Sequence, residues 1–271
     1  MPISDIQAEV LKRIAANRSP ESYLAGATVL HRSADTPRFS LDLDFFHDVE
    51  DSVARSAERD AATLLGCGYG FEWLLRTPAF HRAVVSVAGQ QLKIEWAQDS
   101  AFRFFPVQKD ELCGYRLHDA DAATNKVLAL AGRSEVRDFV DVLHLHATYL
   151  SLGTIVWAAC GKDPGFTPEF LLDHVARHAV YTQTDLDRLS LRVPLDIRGL
   201  KRNWLAALEE ARNLVAALPP GEIGCLYLAP NQIPVTPAPS SAEFPSFVRH
   251  KGSARGAWPT VSRYLAESEA G

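Results

Sequence analysis

The stretch RFSLDLDFFHD, residues 38–48, places two aspartates within an apolar run. Apolar side chains such as Leu43 alternate with Asp42 and Asp44, and this period of two predicts a β-strand with both carboxylates on one face. Residues two apart on a strand lie roughly 6.6 Å from each other. Two interpretations follow: a solvated face of an edge strand, or a site for a divalent cation, which prefers hard oxygen ligands. This stretch alone favours the solvated face.

A second strand changes that balance. The segment RAVVSVAGQQLKIEW predicts a hairpin that turns near Gly89, and in its second arm Lys93 and Glu95 share the polar face. If this arm lies beside the first strand, Glu95 converges with Asp42 and Asp44. Three carboxylates so arranged can hold two metal ions about 3.5–4 Å apart, which serves phosphoryl displacement. The other interpretation of Glu95 is a cross-strand partner for Lys93 or another cation.

A turn of small residues precedes the aspartates. In AGATVL, residues 25–30, Gly26, Ala27 and Thr28 open a short predicted helix. Backbone N–H groups at such a turn can approach a phosphate closely. An ordinary turn between two elements is the other interpretation, because most small-residue turns have no further role.

Two later helices carry charged residues at helical spacing. Lys126 lies mid-helix in DADAATNKVLALAGR, with Arg133 two turns on, and RDFVDVL places Asp138 and Asp141 on one helical face beside Arg137. Lys126 is either a lysine whose stem covers the core or a cation that neutralises a triphosphate. For the two aspartates the alternative is local helix electrostatics, since an acid in the first turn is favourable there.

Composition and charge restrict the class of protein to which the chain can belong. The chain has 271 residues, 47% of them hydrophobic, and a formal net charge of −5, which is typical of a globular protein without overall attraction to nucleic acid. Local basic clusters near residues 198–202 and 249–255 are either solvated surface or nucleic-acid contacts. The absence of a signal peptide and of a long apolar run predicts a cytoplasmic protein with no membrane segment. Four scattered cysteines favour neither a disulfide framework nor a zinc site.

The order of elements predicts the fold class and its divisions. Strand patterns and helices alternate up to about residue 115, and helices dominate afterwards, which predicts an α/β (α+β) fold with a mixed sheet followed by a helical half. We expect an α/β core over residues 1–115 and a helical region over 116–228 that completes the site. A proline-rich linker and tail, with one candidate final helix, then occupies residues 229–271.

Three segments together resemble a known family, the AbiEii/AbiGii-type nucleotidyltransferase toxins of the polymerase-β-like superfamily. YLAGATVLHR resembles the family's Gly-Gly-Thr-Ala-Leu segment, and FSLDLDFF resembles its Ser-x-Asp-Leu-Asp-Phe strand. LHDADAATNKVLALAGRSEVRDFVDVLHL resembles its paired helices, in which Lys-x-x-Ala-Leu precedes Arg-Asp-x-x-Asp-Leu. The resemblance spans residues 23–145 and implies a nucleotidyltransferase-type sheet. One position departs from it, since Ala27 stands where the family has its second glycine.

The resemblance implies roles for the matching residues. The implied catalytic residues are Asp42, Asp44, Glu95, Lys126, Asp138 and Asp141. Of these, the implied ligands of two Mg²⁺ ions are Asp42, Asp44 and Glu95. The implied nucleotide-binding residues are Gly26, Ala27, Thr28, Ser40, Lys126, Arg133 and Arg137.

The function implied by the resemblance is a Mg²⁺-dependent transfer of a nucleoside monophosphate from an NTP to an acceptor. The acceptor would be an RNA such as a tRNA end, or a protein hydroxyl. The same resemblance implies the toxin of a toxin–antitoxin or abortive-infection pair, with an antitoxin protein as partner. The alternative is a catalytically inactive member that keeps the fold as a nucleotide-binding or protein-interaction module. Ala27 points to that alternative, and the acidic residues with Lys126 point away from it.

Overall fold

The computed structural model describes residues 3–31, 36–177 and 180–259. Up to residue 66 helices alternate with strands, and six strands then follow up to residue 116 with no α-helix between them. These elements are α1 (Asp5–Ile14), β1 (Ser22–Ala25), α2 (Gly26–Leu30), β2 (Asp42–His47), α3 (Glu50–Gly66), β3 (Gly70–Thr77), β4 (Phe80–Val87), β5 (Gln90–Gln98), β6 (Phe102–Arg103), β7 (Gln108–Asp110) and β8 (Gly114–Arg116).

Helices dominate the second half, with three short strands at its end. The elements are α4 (Asp119–Gly132), α5 (Val136–Thr148), α6 (Leu152–Lys162), α7 (Pro168–Ala176), α8 (Gln183–Asp187), α9 (Ile197–Ala217), β9 (Cys225–Leu228), β10 (Val248–Lys251) and β11 (Ser253–Ala254). Among the described residues, no single helix is long and apolar enough to cross a membrane. α5 and α6 together meet that test by length and composition, but they are bent by 116°.

A seven-stranded mixed sheet organises the first half, with the strand order β3-β4-β5-β2-β1-β8-β7. The predicted hairpin is present as β4 and β5, which pair antiparallel across Gly89. β2 lies at the centre, antiparallel to β1 and parallel to β5. The strand with the two aspartates is therefore central, which excludes the edge-strand interpretation of residues 38–48.

Two clusters of buried apolar side chains hold the fold together. One packs α1 and α3 against the sheet and includes Leu43, Phe45 and Trp96. The other lies among α4, α5, α6, α7 and α9 and includes Phe139 and Trp204. Leu43 and Phe45 of β2 belong to the first cluster, as the alternation predicts, so the aspartates and Phe46 face the opposite side of the sheet.

Helix α1 contacts the start of β2 and begins with the capping box that Ser4 and Gln7, three residues apart, predict from the sequence. The Ser4 side chain accepts a hydrogen bond from the backbone of Gln7, and the Gln7 side chain accepts one from the backbone of Ser4. The Gln7 amide then donates to the backbone carbonyls of Ser40 and Asp42, at 3.0 and 3.3 Å. A local capping motif thus anchors the segment that carries the acidic strand.

Some local predictions were wrong or incomplete. The sequence predicts Ser134 as the N-cap of α5, because serine is favoured at that position, but Glu135 holds it and no side chain caps the helix. Helix α6 has no polar face, since nine of its residues are buried, and amphipathic patterning therefore did not reveal it. Within the predicted tail, β10 pairs with β9, so this part of the chain packs on the body of the protein. Residues 260–271, including the candidate final helix, lie outside the described residues.

Candidate active site

The three predicted carboxylates lie side by side on adjacent strands. In the parallel pairing of β2 with β5, Asp44 lies opposite Glu95 and Asp42 lies opposite Lys93. Because directly opposed residues of paired strands point to the same face, all four side chains emerge on one side of the sheet. The structure therefore meets the condition on which the sequence-based hypothesis depended, that the strand of Glu95 neighbours β2.

Cations already contact these carboxylates. The Lys93 ammonium lies 3.1 Å from Asp42 Oδ2 and 3.0 Å from Glu95 Oε1, and Arg82 Nε lies 2.8 Å from the same Glu95 oxygen. The alternative interpretation of Glu95, as the partner of a cation, is therefore also met: Lys93 contacts it along β5, and Arg82 of β4 is its cross-strand partner. Burial opposes ionisation of Asp42, but Lys93 and then Arg137 outweigh it and lower the pKa of that carboxyl.

Asp44 is the least compensated of the three acids. It has no ion pair among the described residues, and burial, followed by repulsion from Asp42 and Glu95, raises its pKa to about 7. Its carboxylate packs directly on Gly26, which has a φ of +65°. A Cβ at residue 26 would overlap that carboxylate, so both the backbone conformation and the contact require glycine there.

The other residues predicted to bind nucleotide near this turn, Ala27, Thr28 and Ser40, differ in whether they line the cleft. Thr28 and Ser40 are buried, and neither lines the cleft in front of the carboxylates. The Thr28 hydroxyl donates to the Asp42 carbonyl at 2.8 Å, and the Ser40 hydroxyl lies 3.3 Å from Asp42 Oδ1. These two hydroxyls position Asp42, whereas Ala27 lines the cleft itself.

Lys126 is held in place by the two helical aspartates. Its Nζ lies 2.9 Å from Asp138 Oδ1 and 3.1 Å from Asp141 Oδ2. Asp138 also accepts from Arg133 Nε at 2.7 Å. Burial opposes ionisation of Asp138, but the hydrogen bond from Arg133 and the charge of Lys126 lower its pKa. Lys126 therefore has a fixed position, with its ammonium at the cleft.

Asp141 is enclosed by basic side chains. Besides Lys126, it binds Arg38 through two hydrogen bonds of 2.7 and 2.6 Å and His31 Nε2 at 2.8 Å. Burial opposes its ionisation, but Lys126, His31 and Arg38 hold its pKa well below the usual range. Arg38 and His31 were not predicted as part of this cluster. No local signal could reveal them, because their partner lies more than 100 residues along the chain.

These groups surround one cleft of about 280 Å³. The predicted residues that line it are Gly26, Ala27, Asp42, Asp44, Glu95, Lys126, Arg133 and Arg137. Residues that the sequence did not single out complete its walls, namely Arg38, Phe46, Phe80, Ala97, Leu117, Ala122, Asn125 and Ala129. Thr28, Ser40, Asp138 and Asp141 lie behind this lining and brace it.

The cleft is polar at one end and apolar at the other. Phe46 and Phe80 both lie opposite Ala97 in the sheet, one row beyond the carboxylates. Asn125 of α4 belongs to the apolar end, because its amide contacts Asp99, two residues past Ala97. At the other end Arg137 approaches Asp42, at 3.6 Å. The carboxylates therefore lie between an apolar compartment and a basic one.

The donor chemistry of the three carboxylates fits Mg²⁺, which takes carboxylate oxygens together with water and phosphate oxygens. Within residues 3–31, 36–177 and 180–259, no three His, Cys, Asp or Glu side chains are gathered at the spacing of metal ligands. The Lys93 ammonium lies between Asp42 and Glu95 and contacts both. Asp42, Asp44 and Glu95 are the candidate ligands.

Comparison with known proteins identifies related sequences and folds. The profile of the family described as "Nucleotidyl transferase AbiEii toxin, Type IV TA system" matches residues 9–217. A search of curated proteins found no match. The fold is similar to that of MenT4, a nucleotidyltransferase toxin from Mycobacterium tuberculosis, with a TM-score of 0.56, 17% identity and coverage of 80% of this chain and 83% of that one. JHP933 from Helicobacter pylori aligns with a TM-score of 0.48 and 19% identity, over 78% of this chain and 91% of that one.

Proposed function

Because the chain belongs to the AbiEii family of nucleotidyltransferase toxins, we propose that it transfers a nucleoside monophosphate from an NTP to an acceptor hydroxyl in a Mg²⁺-dependent reaction. The observation that carries this proposal is the cleft in which Asp42, Asp44 and Glu95 meet Lys126. The fold similarity to MenT4, which is described as a nucleotidyltransferase toxin, is consistent with it.

Asp42, Asp44 and Glu95 would hold two Mg²⁺ ions. When bound, such ions lower the pKa of an attacking hydroxyl and offset charge on the reacting phosphate and on the pyrophosphate that leaves. In the transfer, a bond forms between the acceptor oxygen and the α-phosphorus, and the bond from that phosphorus to the pyrophosphate oxygen breaks. The acceptor proton passes to solvent or to the leaving pyrophosphate.

The cations of the cleft would act on the phosphates. Lys126 is held by Asp138 and Asp141, so its ammonium can stabilise developing negative charge without first being ordered. Arg133 and Arg137 have side chains that are one-third to one-half exposed, and they line the same cleft. We assign them to the outer phosphates, where longer and more exposed side chains can follow the triphosphate.

The apolar end of the cleft would receive the nucleobase. Phe46 and Phe80 offer aromatic surface, and stacking of a base on such side chains is favourable for any base. Asn125 adds one amide that can contact a base edge, while its oxygen accepts from Lys162 at 2.7 Å. With the base at this end, the α-phosphate lies beside the carboxylates and the outer phosphates reach the basic end.

The direct test of this function is transfer of label from α-³²P-labelled NTPs. We expect label on RNA, such as a tRNA end, or on a protein acceptor, only with Mg²⁺ and only with one or two of the four NTPs. Asp44→Asn should not transfer label. An absence of transfer to both total RNA and total protein, together with an absence of Mg²⁺-dependent NTP binding by calorimetry, would rule this function out.

Two further results, one from the same assay and one from growth on expression, would assign related roles. Nucleotide binding without transfer to either acceptor would identify the chain as a nucleotide-binding module. For the toxin role, we expect growth arrest on expression that Asp44→Asn relieves, and that a cognate antitoxin protein also relieves. Equal growth of cells expressing the wild type and Asp44→Asn would argue against toxicity through transfer.

A further inference from the structure

Lys93 occupies an unusual place for a surface lysine. It lies opposite Asp42 in the sheet, and its ammonium contacts Asp42 Oδ2 at 3.1 Å and Glu95 Oε1 at 3.0 Å. One positive group thus bridges two of the three carboxylates assigned above as ligands. An ammonium group and a metal ion bind the same lone pairs of the carboxylate oxygens, so they cannot both lie between Asp42 and Glu95.

Asp42 and Glu95 each have another cationic partner, so the Lys93 ammonium can leave them. Glu95 keeps Arg82 as a partner at 2.8 Å, and Asp42 keeps Arg137 at 3.6 Å, so neither carboxylate depends on Lys93 alone for charge compensation. The Lys93 side chain is 36% exposed. Its four-carbon stem can therefore move the ammonium into solvent without uncovering a buried group. By contrast, Lys126 is only 7% exposed and is fixed by two aspartates.

We propose that Lys93 is a tethered cation that competes with the divalent metal for Asp42 and Glu95 and so lowers the metal affinity of the nucleotide-free protein. This inference rests on the proposed function, because it takes those carboxylates as metal ligands. Lys93 keeps the acids compensated while no metal is bound, and metal entry displaces its ammonium toward solvent.

The test is a titration of Mn²⁺ without nucleotide, followed by electron paramagnetic resonance of the free ion, since Mn²⁺ accepts the same oxygen ligands. We expect Lys93→Met to bind Mn²⁺ roughly tenfold tighter than the wild type, because a positive charge at about 3 Å has been removed from the ligands. Lys93→Arg, which keeps the cation, should stay close to the wild type. The gain should disappear when Lys93→Met is combined with Asp42→Asn.

The matched control is Lys109→Met. Lys109 is exposed on β7, at the far edge of the same sheet, so this variant makes the same change in net charge away from the cleft. It should bind Mn²⁺ as the wild type does. Lys93→Gln provides a second neutral variant if Lys93→Met does not fold, as judged by circular dichroism.

Two results would overturn the inference, and they are distinguishable. Equal or weaker Mn²⁺ binding by the neutral Lys93 variants, with clear binding by the wild type, contradicts the competition and leaves the proposed function standing. Absence of Mn²⁺ binding in every variant and in the wild type contradicts the metal site itself, and then both proposals fall.

Discussion

Two sets of carboxylates lie around Lys126, one on the sheet and one on α5, and they differ in how they are compensated. Asp141 contacts three buried basic groups, namely Arg38, His31 and Lys126, and its pKa is held well below the usual range. Asp44 is half-buried at the cleft, has no ion pair among the described residues, and its pKa is raised to about 7.

This difference in charge compensation suggests different roles for Asp141 and for the carboxylates of the sheet. Arg38 and Lys126 beside Asp141 are buried and each makes more than one polar contact, so they hold the helix and Lys126 in a single arrangement. The cations around Asp42 and Glu95, namely Lys93, Arg82 and Arg137, have side chains that are 34–39% exposed and can leave. Uncompensated or loosely compensated carboxylates favour a cation from solution, whereas fully paired ones do not. We therefore assign Asp138 and Asp141 to positioning and the sheet carboxylates to catalysis.

The largest expected effect concerns activity on the sheet side. Asp44→Asn should lower the rate of nucleotidyl transfer by roughly 10²–10³-fold or more, because it removes a charged ligand at the reacting phosphate. The thermal midpoint in the presence of a chelator should not fall. Near-normal transfer by this variant would mean that Asp44 does not act on the reaction.

Next in size is a loss of stability on the helix side. Asp141→Asn removes the carboxylate that Arg38 and His31 contact and one of the two that hold Lys126, so we expect the free energy of unfolding to fall by about 3–5 kcal/mol. Urea denaturation measures this change. The control is Glu58→Gln, which breaks an exposed ion pair with Arg76 and should have little effect. Equal stability of the two variants would contradict the assignment of Asp141 as a brace.

A smaller effect appears in the pH dependence of stability. The folded protein binds the Asp44 proton with a pKa of about 7, above the usual value of 3.8, so protonation favours the folded state. This contribution is fully present below about pH 4 and is lost as pH rises through about 7. In chelator, Asp44→Asn should therefore gain stability relative to the wild type over this range, by up to about 3 kcal/mol. Chemical unfolding at pH 4.5, 6 and 8 tests it, and parallel curves for the two proteins would contradict it.

The smallest expected effect compares two neighbouring positions of the turn. Gly26→Ala introduces a Cβ at a positive φ and against the Asp44 carboxylate, so stability should fall by about 1–3 kcal/mol and transfer should weaken. Ala27→Gly introduces the glycine that the family pattern has, at a residue whose φ is not positive. It should cost only about 0.5–1 kcal/mol, the usual effect of glycine in a helix. Equal effects of the two substitutions would show that Gly26 is not specially required.

Local pattern was sufficient to predict much of the fold. The strand of residues 42–47 and the hairpin about Gly89 follow from alternation, and α1 follows from its capping box. Helix α6 did not follow, because a helix buried on all sides has no polar face to set its period. The strand β10 did not follow either, since it pairs with β9 across a proline-rich segment that has no strand pattern of its own.

The sequence by itself determined which face of each element carries the acids, because strand and helix periods are properties of neighbouring residues. It placed Asp42 and Asp44 together, and Asp138 and Asp141 together. Only the tertiary structure decided that Glu95 lies opposite Asp44, that Arg38 and His31 enclose Asp141, and that Lys93 bridges Asp42 and Glu95. These contacts depend on sheet register and helix packing over tens to more than 100 residues, and no local period encodes such distances.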